Sequence, residues 1–402
     1  MALLSVAEAL ERVLAHAAPL PAEQASLADA YGRVLAGDLK ALRTQPPADV
    51  SAMDGYAVRA GDVATIPAHL TVIGEVAAGR PFARPVGPGE AVRIFTGGVV
   101  PQGADTIVIQ EHTKRDGERV AVENSTARGR HIRAQGLDFK AGDCLLSAGH
   151  RLTARDLALA AAMNHPRVLV HRRPKIAVLA TGDELVPPGT QPAPGQIVSS
   201  NTFALAALAR AEGAQAEDLG IVGDRLDTTV AAVRRARELS VDILVTSGGA
   251  SVGDYDLVQA AFAAEGMALS FWKLALRPGR PLMHGRLGAM QVLGVPGNPV
   301  SAFVCAFLFL VPLIRRLAGR SDVALATESA LLGCDLPEND ERADYLRATL
   351  TDGPEGSVAT AFPVQDSSMM ASLAKADCLL IREPYAPAAK AGSRGTIVKF
   401  EH

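Results

Sequence analysis

Between residues 175 and 246, short apolar runs alternate with helical patterns, and this alternation constrains the fold more than any other feature of the chain. Strands are predicted at 176–180, 219–222 and 243–246, with helices at 202–212 and 228–238 between them. Parallel strands need a crossover connection, which a helix usually supplies. The order therefore predicts a doubly wound α/β domain built on a largely parallel sheet.

The same domain is expected to continue to about residue 320. Further strands are predicted at 269–276 and 290–295, with a helix at 255–265 between them. The apolar run at 300–314 is shorter than the roughly 20 residues that span a membrane. Asn298 and Pro299 suit the first turn of a helix. We therefore predict a core helix and no membrane anchor.

A chain of 402 residues is too long for one core of usual size, so several domains are expected. Helical patterns at 5–16, 26–35 and 153–163 flank a Gly- and Pro-rich region with short β-type runs, among them 70–73, 91–95 and 106–109. Short strands return near the end, at 345–348 and 378–381. The predicted domains are a small helical domain (1–41 and 147–173), an inserted β-rich domain (42–146), the α/β domain (174–320) and a C-terminal β-barrel-like domain (321–402).

Composition excludes some classes of function. The net charge is −3 and only 4% of residues are aromatic, which argues against nucleic-acid binding. The four cysteines show no metal or disulfide spacing, which favours free thiols in a reducing compartment. A capping-box pattern at Ser5 and Glu8 stands where a signal peptide would have its apolar region. We expect a cytoplasmic protein that binds small molecules.

In an open α/β sheet, ligands bind beyond the carboxyl ends of the strands. Glu184 lies in the loop 181–185 after the first strand. The loop 247–256 is rich in glycine, which lets backbone N–H groups converge on an oxyanion. Asp254 and Asp256 in that loop would repel a phosphate unless a cation such as Mg²⁺ lay between them.

Three cations, Lys273, Arg277 and Arg280, crowd the segment 272–281 and suit an anionic ligand. The loop 295–299 leads into a helix N-terminus, where backbone N–H groups are free. These residues fit a phosphorylated substrate, a divalent metal and an inorganic oxyanion. They leave a nucleotide hydrolase and a nucleotidyltransferase equally open.

Asp54 lies in a Pro- and Gly-punctuated segment, 46–59, that no helix or strand periodicity explains. Gly55 permits a tight turn that would aim the carboxylate at a ligand. A type I turn with Asp as its polar residue is the alternative.

An ordered set of motifs at 51–59, 93–98, 181–185, 247–253, 271–281 and 296–301 resembles the molybdopterin molybdenumtransferases, the bacterial MoeA type that is similar to the C-terminal region of gephyrin. The resemblance covers essentially the whole chain. It implies an elongated four-domain homodimer with active sites shared between subunits. It also implies a Mg²⁺-dependent reaction that takes adenylylated molybdopterin and molybdate, releases AMP and yields molybdenum cofactor.

The resemblance also assigns residues. The implied catalytic residues are Asp54, Glu184, Asp256 and Lys273, with Glu184 and Asp256 as metal ligands. The implied substrate-binding residues are Thr96, Asp138, Asp224, Ser247, Gly248, Gly249, Ser251, Gly253, Arg277, Arg280, Pro296, Arg347 and Ser367. Arg277 and Arg280 stand where lysines are common in the family, and Asp366 stands where glycine is frequent.

Two alternative functions remain. A molybdopterin adenylyltransferase-like enzyme would share the α/β domain but lacks the 51–59 segment and the β-domains. A non-catalytic scaffold, as in gephyrin, would need none of the acids Asp54, Glu184 and Asp256. The implied partners are small-molecule substrates, with the adenylyltransferase and molybdoenzyme apoproteins as further candidates. The sequence leaves molybdate and tungstate undistinguished.

Overall fold

A computed structural model describes residues 3–77, 79–248 and 257–400 of the chain. The predicted site residues Gly249, Ser251, Gly253 and Asp256 lie outside the described residues, as does the start of the helix predicted at 255–265. The described helices are Val6–Leu14, Ala154–Ala162, Asn201–Ala211, Leu226–Glu238, Leu257–Ala264, Pro299–Leu317 and Met370–Ala374.

The α/β domain has a six-stranded sheet. Its strand order is Gln215–Val222, Lys175–Thr181, Ile243–Ser247, Met290–Val295, Met283–Leu287 and Ala268–Phe271. The first four strands are parallel to one another. Met283–Leu287 pairs antiparallel with both of its neighbours, Met290–Val295 and Ala268–Phe271. The predicted α/β domain is therefore confirmed, with an antiparallel edge.

Two details of this sheet differ from the prediction. The strand Met283–Leu287 was not predicted; it pairs with Met290–Val295 through a turn in which Gly288 has a φ of +64°. The strand predicted at 269–276 is two strands, since Ala268–Phe271 ends the α/β sheet and Leu276–Arg277 pairs with the C-terminal domain. A continuous β-type pattern does not show that its two ends pair with different sheets.

The helix Pro299–Leu317 is the centre of the α/β core. With 19 residues it is long and apolar enough to cross a membrane. However, 89% of its most apolar stretch is buried inside the protein. A π-helical turn, Ala306–Leu310, precedes Pro312, whose missing N–H cannot continue the helical ladder. The helix Val6–Leu14 packs against it through Ala9 and Val13. The predicted core helix is confirmed.

The prediction of a helix at 26–35 is wrong. Ser26 caps only a single 3₁₀ turn, Leu27–Asp29, and Gly32 with a φ of +70° then takes the backbone out of helical conformation. The strand Ala22–Ser26 instead pairs antiparallel with Arg167–His171.

The inserted region forms the predicted β-rich domain. Its six-stranded sheet has the order Thr106–Ile109, Gly55–Val58, Glu90–Ile94, Ala68–Val76, Arg119–Val122 and Thr113–Asp116. Gly55 begins its strand where a Cβ atom would lie 2.0 Å from the Val108 carbonyl oxygen. Only glycine fits there, which fixes the position of the neighbouring Asp54. Short pairs complete the fold: Leu39–Lys40 with Cys144–Leu146, Val50–Ser51 with Ile132–Arg133, and Leu185–Val186 with Ile197–Val198.

Five strands of the C-terminal domain close into a barrel, because the last of them pairs back with the first. Their order is Ala343–Gly353, Gly356–Ala361, Glu328–Leu332, Arg394–Lys399 and Cys378–Arg382. The short strand Leu276–Arg277 joins Ala343–Gly353 in parallel and ties the barrel to the α/β domain. The barrel-like domain is confirmed.

A buried carboxylate joins three parts of the α/β domain. Glu212, after the helix Asn201–Ala211, accepts hydrogen bonds of 3.0 Å from both Nε and Nη2 of Arg315. It also accepts a 2.7 Å bond from Nη1 of Arg320. All three side chains are buried. Breaking such a group by removing one charge is costly because the remaining charges stay desolvated.

We expect Glu212→Gln to lower the free energy of unfolding by about 3–5 kcal/mol, because it removes the negative charge from a buried ion group. Urea denaturation monitored by circular dichroism measures this. Glu217→Gln is the matched control, since Glu217 is an exposed glutamate in the same domain. Equal stability of the two variants would contradict the importance of this ion group.

Candidate active site

Close backbone packing brings the predicted glycine loops together at the carboxyl edge of the α/β sheet. Gly248 has a φ of +97°, and a Cβ atom there would lie 2.3 Å from the Thr181 carbonyl oxygen. The ideal Cβ position of Gly297 lies 3.7 Å from the Cα of Gly248. The loop after Ile243–Ser247 therefore contacts both neighbouring strand ends. Predicted site residues Ser247, Gly248 and Pro296 lie together here.

An asparagine that sequence reasoning missed joins two of these loops. Asn201 Nδ2 donates a 2.7 Å hydrogen bond to Ser247 Oγ and a 2.8 Å bond to the Gly297 carbonyl. Ser247 Oγ in turn donates to the Pro296 carbonyl at 3.4 Å. The available sequence signal was an asparagine at the start of a helix on the ligand-binding edge of the sheet.

Two predicted acids lie at the same edge on neighbouring loops. Glu184 is exposed, and its carboxylate folds over Gly182, with both oxygens within 2.8 Å of the position a Cβ would take there. The Asp224 backbone N–H donates a 3.0 Å hydrogen bond to Asp183 Oδ1. Asp183, to which sequence reasoning gave no separate role, therefore joins the two acid-bearing loops.

The described residues contain no group of three or more His, Cys, Asp or Glu side chains placed to hold a metal ion. Glu184 is within the described part, while its predicted fellow ligand Asp256 is not.

The C-terminal domain contributes Ser367 to this edge. Ser367 Oγ accepts a 2.9 Å hydrogen bond from Asn298 Nδ2, and its carbonyl accepts a 3.0 Å bond from the Val300 N–H. Arg347 is only 1% exposed and donates from Nη1 to the carbonyls of Asp366 and Met369. Burial lowers the pKa of Arg347. In this structure its guanidinium therefore holds the loop that carries Ser367.

The three predicted cations differ in their partners. Arg277 reaches into the C-terminal domain, where it donates from Nε to Asp344 at 2.6 Å and from Nη1 to Asp340 at 3.0 Å. The Asp344 carboxylate raises the pKa of Arg277. Lys273 Nζ lies 5.4 Å from the centre of the Trp272 ring. Within the described residues neither Lys273 nor Arg280 forms an ion pair, so both are available to an anion.

Asp54 and Thr96 lie together in the inserted domain. Asp54 Oδ1 accepts hydrogen bonds from the Thr96 N–H at 2.7 Å and from Thr96 Oγ1 at 2.8 Å. The backbone bond first, and then the hydroxyl bond, hold the pKa of Asp54 below its ordinary value. Arg93 belongs to the 93–98 motif, but the sequence assigns it no role. Its guanidinium supports the loop and lies over the rings of Tyr56 and Phe95, at 5.1 and 5.0 Å.

Asp138 is exposed in the same region, and its backbone N–H donates to the Gln45 carbonyl at 3.0 Å. Among the hydrogen bonds and ion pairs of the described residues, none joins Asp54, Thr96 or Asp138 to the carboxyl edge of the α/β sheet. The predicted site residues therefore form two groups within one chain.

We expect Thr96→Val to raise the pKa of Asp54, because the hydroxyl hydrogen bond that favours the carboxylate is lost while the backbone bond remains. In the variant, Asp54 should take up its proton at a higher pH than in the unmodified protein. Carboxyl carbon NMR during an acid titration measures this. Thr113→Val is the control, since Thr113 Oγ1 bonds the Gln110 carbonyl instead. An unchanged Asp54 pKa would contradict the assigned cause.

Three family models match consecutive parts of the chain. Residues 4–164 match the MoeA N-terminal region, domains I and II. Residues 177–316 match a probable molybdopterin binding domain, and residues 329–400 match the MoeA C-terminal region, domain IV. Together the matches extend over nearly the whole chain.

Curated relatives and solved structures agree with these matches. The molybdopterin molybdenumtransferase of Haemophilus influenzae is 33% identical over 387 residues, which cover 96% of this chain and 95% of the relative. That of a Nostoc species is 41% identical over 297 residues, covering 72% of this chain and 68% of the relative. A molybdopterin biosynthesis MoeA protein from Pyrococcus horikoshii superimposes over 100% of both chains with a TM-score of 0.85 at 29% identity. The chain therefore belongs to the molybdopterin molybdenumtransferase family.

Proposed function

We propose that this protein inserts molybdenum from molybdate into adenylylated molybdopterin and releases AMP, which completes molybdenum cofactor. The observation that carries the proposal is the glycine-lined edge of the α/β sheet, where Ser247, Gly248 and Pro296 meet beside the exposed carboxylate of Glu184. Lys273 and Arg280, which form no ion pair with another described residue, belong to the same domain. Family membership supplies the identity of the substrate.

The pyrophosphate of the substrate is the group that this edge suits. We expect the glycine loop after Ile243–Ser247 to offer backbone N–H groups to phosphate oxygens. The start of the helix Pro299–Leu317 contributes less, because Pro299 has no N–H and the Val300 N–H already donates to the Ser367 carbonyl. Lys273 and Arg280 supply positive charge, while Arg277 and Arg347 hold the C-terminal domain and its Ser367 loop in place. We place Asp224 beside Glu184 at this edge, because the Asp224 backbone N–H donates a hydrogen bond to Asp183, the residue before Glu184.

Magnesium fits the chemistry of this donor set. Mg²⁺ is usually held by one or two carboxylates together with substrate phosphates, not by an all-protein cage. Glu184 is exposed and its carboxylate is therefore accessible to such an ion. Glu184 would hold the ion together with Asp256, and the ion would neutralise charge on the phosphate oxygens.

We further propose a homodimer in which Asp54, Thr96 and Asp138 of one subunit complete the α/β site of the other. Exposed apolar side chains flank both groups of residues: Met53 is 41% exposed, Ile197 56% and Phe203 57%. In the proposed dimer the partner subunit would cover these side chains. Within one chain the two groups share no hydrogen bond among the described residues.

The cellular setting follows from the same proposal. The enzyme would act in the cytoplasm, receive adenylylated molybdopterin from an adenylyltransferase and deliver cofactor to molybdoenzyme apoproteins. The mildly acidic net charge of −3 agrees with small-molecule substrates and not with nucleic acid.

The first test is AMP release. Purified protein incubated with adenylylated molybdopterin, Mg²⁺ and molybdate should release AMP, measured by liquid chromatography. Glu184→Gln should lower the rate at least about a hundredfold, because it removes charge from the group that organises metal and pyrophosphate. Glu217→Gln should match the unmodified protein. Absence of AMP release by the unmodified protein would refute the proposed function.

A second test addresses the shared site. Asp54→Ala and Glu184→Gln subunits should each be inactive alone, since each lacks one half of every site. After subunit exchange, roughly half the dimers would be mixed and each would have one intact site, giving about a quarter of full activity. Asp116→Ala, an exposed acid in the same inserted domain, should behave as unmodified protein. No recovery, once mass spectrometry had shown mixed dimers, would place both acids in one subunit's site.

A further inference from the structure

Asn201 lies at the edge of the candidate site but has no assigned role in binding substrate or metal. It is the first residue of the helix Asn201–Ala211 and is half-buried at the carboxyl edge of the sheet. The helix is fixed by a buried face that includes Thr202, Leu205 and Ala209. A side chain at its first position is therefore attached to a rigid element.

The orientation of the Asn201 amide follows from its partners. Its nitrogen lies 2.8 Å from the Gly297 carbonyl oxygen, which can only accept a hydrogen bond. The opposite orientation would place two acceptor oxygens against each other, so the network assigns the nitrogen. Both amide protons are then used, one on Gly297 and one on Ser247 Oγ at 2.7 Å. The two acceptors lie at the carboxyl ends of neighbouring parallel strands: Ser247 ends Ile243–Ser247, and Gly297 follows Met290–Val295.

The same network fixes the Ser247 hydroxyl. It accepts from Asn201 and donates to the Pro296 carbonyl, so its own proton is not directed at a ligand. Ser247 is buried, with 3% of its surface exposed. A chain of hydrogen bonds that begins at Asn201 therefore sets the spacing between Ser247 and the segment Pro296–Gly297.

We propose that Asn201 is a positioning residue that acts through Ser247 and Gly297 to hold the two glycine loops in one geometry around the substrate's phosphates. This inference rests on the proposed function for its substrate. Asn201 would touch neither phosphate nor metal. It would keep the two loops at a fixed distance from each other when the anion binds. A small displacement of either loop would misplace the bound substrate and lower the rate of its reaction.

The test compares Asn201→Leu, Ser247→Ala and the double variant. Each single change should lower kcat/KM for adenylylated molybdopterin by about ten- to a hundredfold. The double variant should fall no further than the worse single variant, because both changes break one chain of hydrogen bonds. Ser200→Ala should leave the rate unchanged, since Ser200 is exposed and its side chain makes no capping bond at the same helix end. Multiplicative losses in the double variant would overturn the proposal.

Hydrogen exchange followed by mass spectrometry provides a readout without activity. In Asn201→Leu, amides in peptides covering 243–248 and 293–300 should exchange about tenfold faster, as expected for a lost hydrogen bond of ordinary strength. Peptides from the C-terminal barrel should be unchanged. Unchanged exchange at both loops, or equal acceleration throughout the protein, would overturn the positioning role. If the unmodified protein released no AMP, the proposed function would be refuted, but the hydrogen-exchange result would still test the positioning role of Asn201.

Discussion

Close backbone contact at the carboxyl edge of the α/β sheet is the constraint on which the candidate site depends. Gly248 rests against the Thr181 carbonyl so closely that any Cβ would lie 2.3 Å from it. This contact lets the loops after neighbouring strands meet, and Asn201 then joins two of them by hydrogen bonds. Ser367 of the barrel reaches the same edge through Asn298. A larger side chain at Gly248 would separate these loops.

The sequence predicted this edge well because parallel strands end on one side of a sheet. Ser247, Gly248 and Pro296 are adjacent in space for that reason. It could not predict the partners of Arg277 and Arg347, because these lie in other segments. Arg277 pairs with Asp344 across a domain boundary, and Arg347 is buried against the separate loop that carries Ser367. Similarly, the prediction of a helix at 26–35 failed because the local pattern did not reveal the φ of +70° at Gly32 or the β-bridges of Val34 and Leu35 to Arg151 and Val170.

The division of labour among the cations has a physical basis. A planar guanidinium can bind a carboxylate with two hydrogen bonds, which a lysine ammonium cannot match. Arg277 uses that geometry to join the barrel to the α/β domain, and Asp340 adds a further bond. Lys273 and Arg280 form no ion pair with described residues, which leaves their charge for a substrate. On the inserted domain, the Thr96 backbone and hydroxyl hydrogen bonds hold the pKa of Asp54 below its ordinary value.

We propose that this edge of the sheet couples cleavage of the adenylylated substrate to insertion of molybdenum. The most direct measurement compares two quantities in the same samples. One is the molybdenum bound to the pterin product, measured by elemental mass spectrometry, and the other is the amount of AMP released. The account predicts equal amounts of inserted molybdenum and released AMP. Release of AMP with no molybdenum on the pterin would contradict it and would indicate a nucleotide hydrolase.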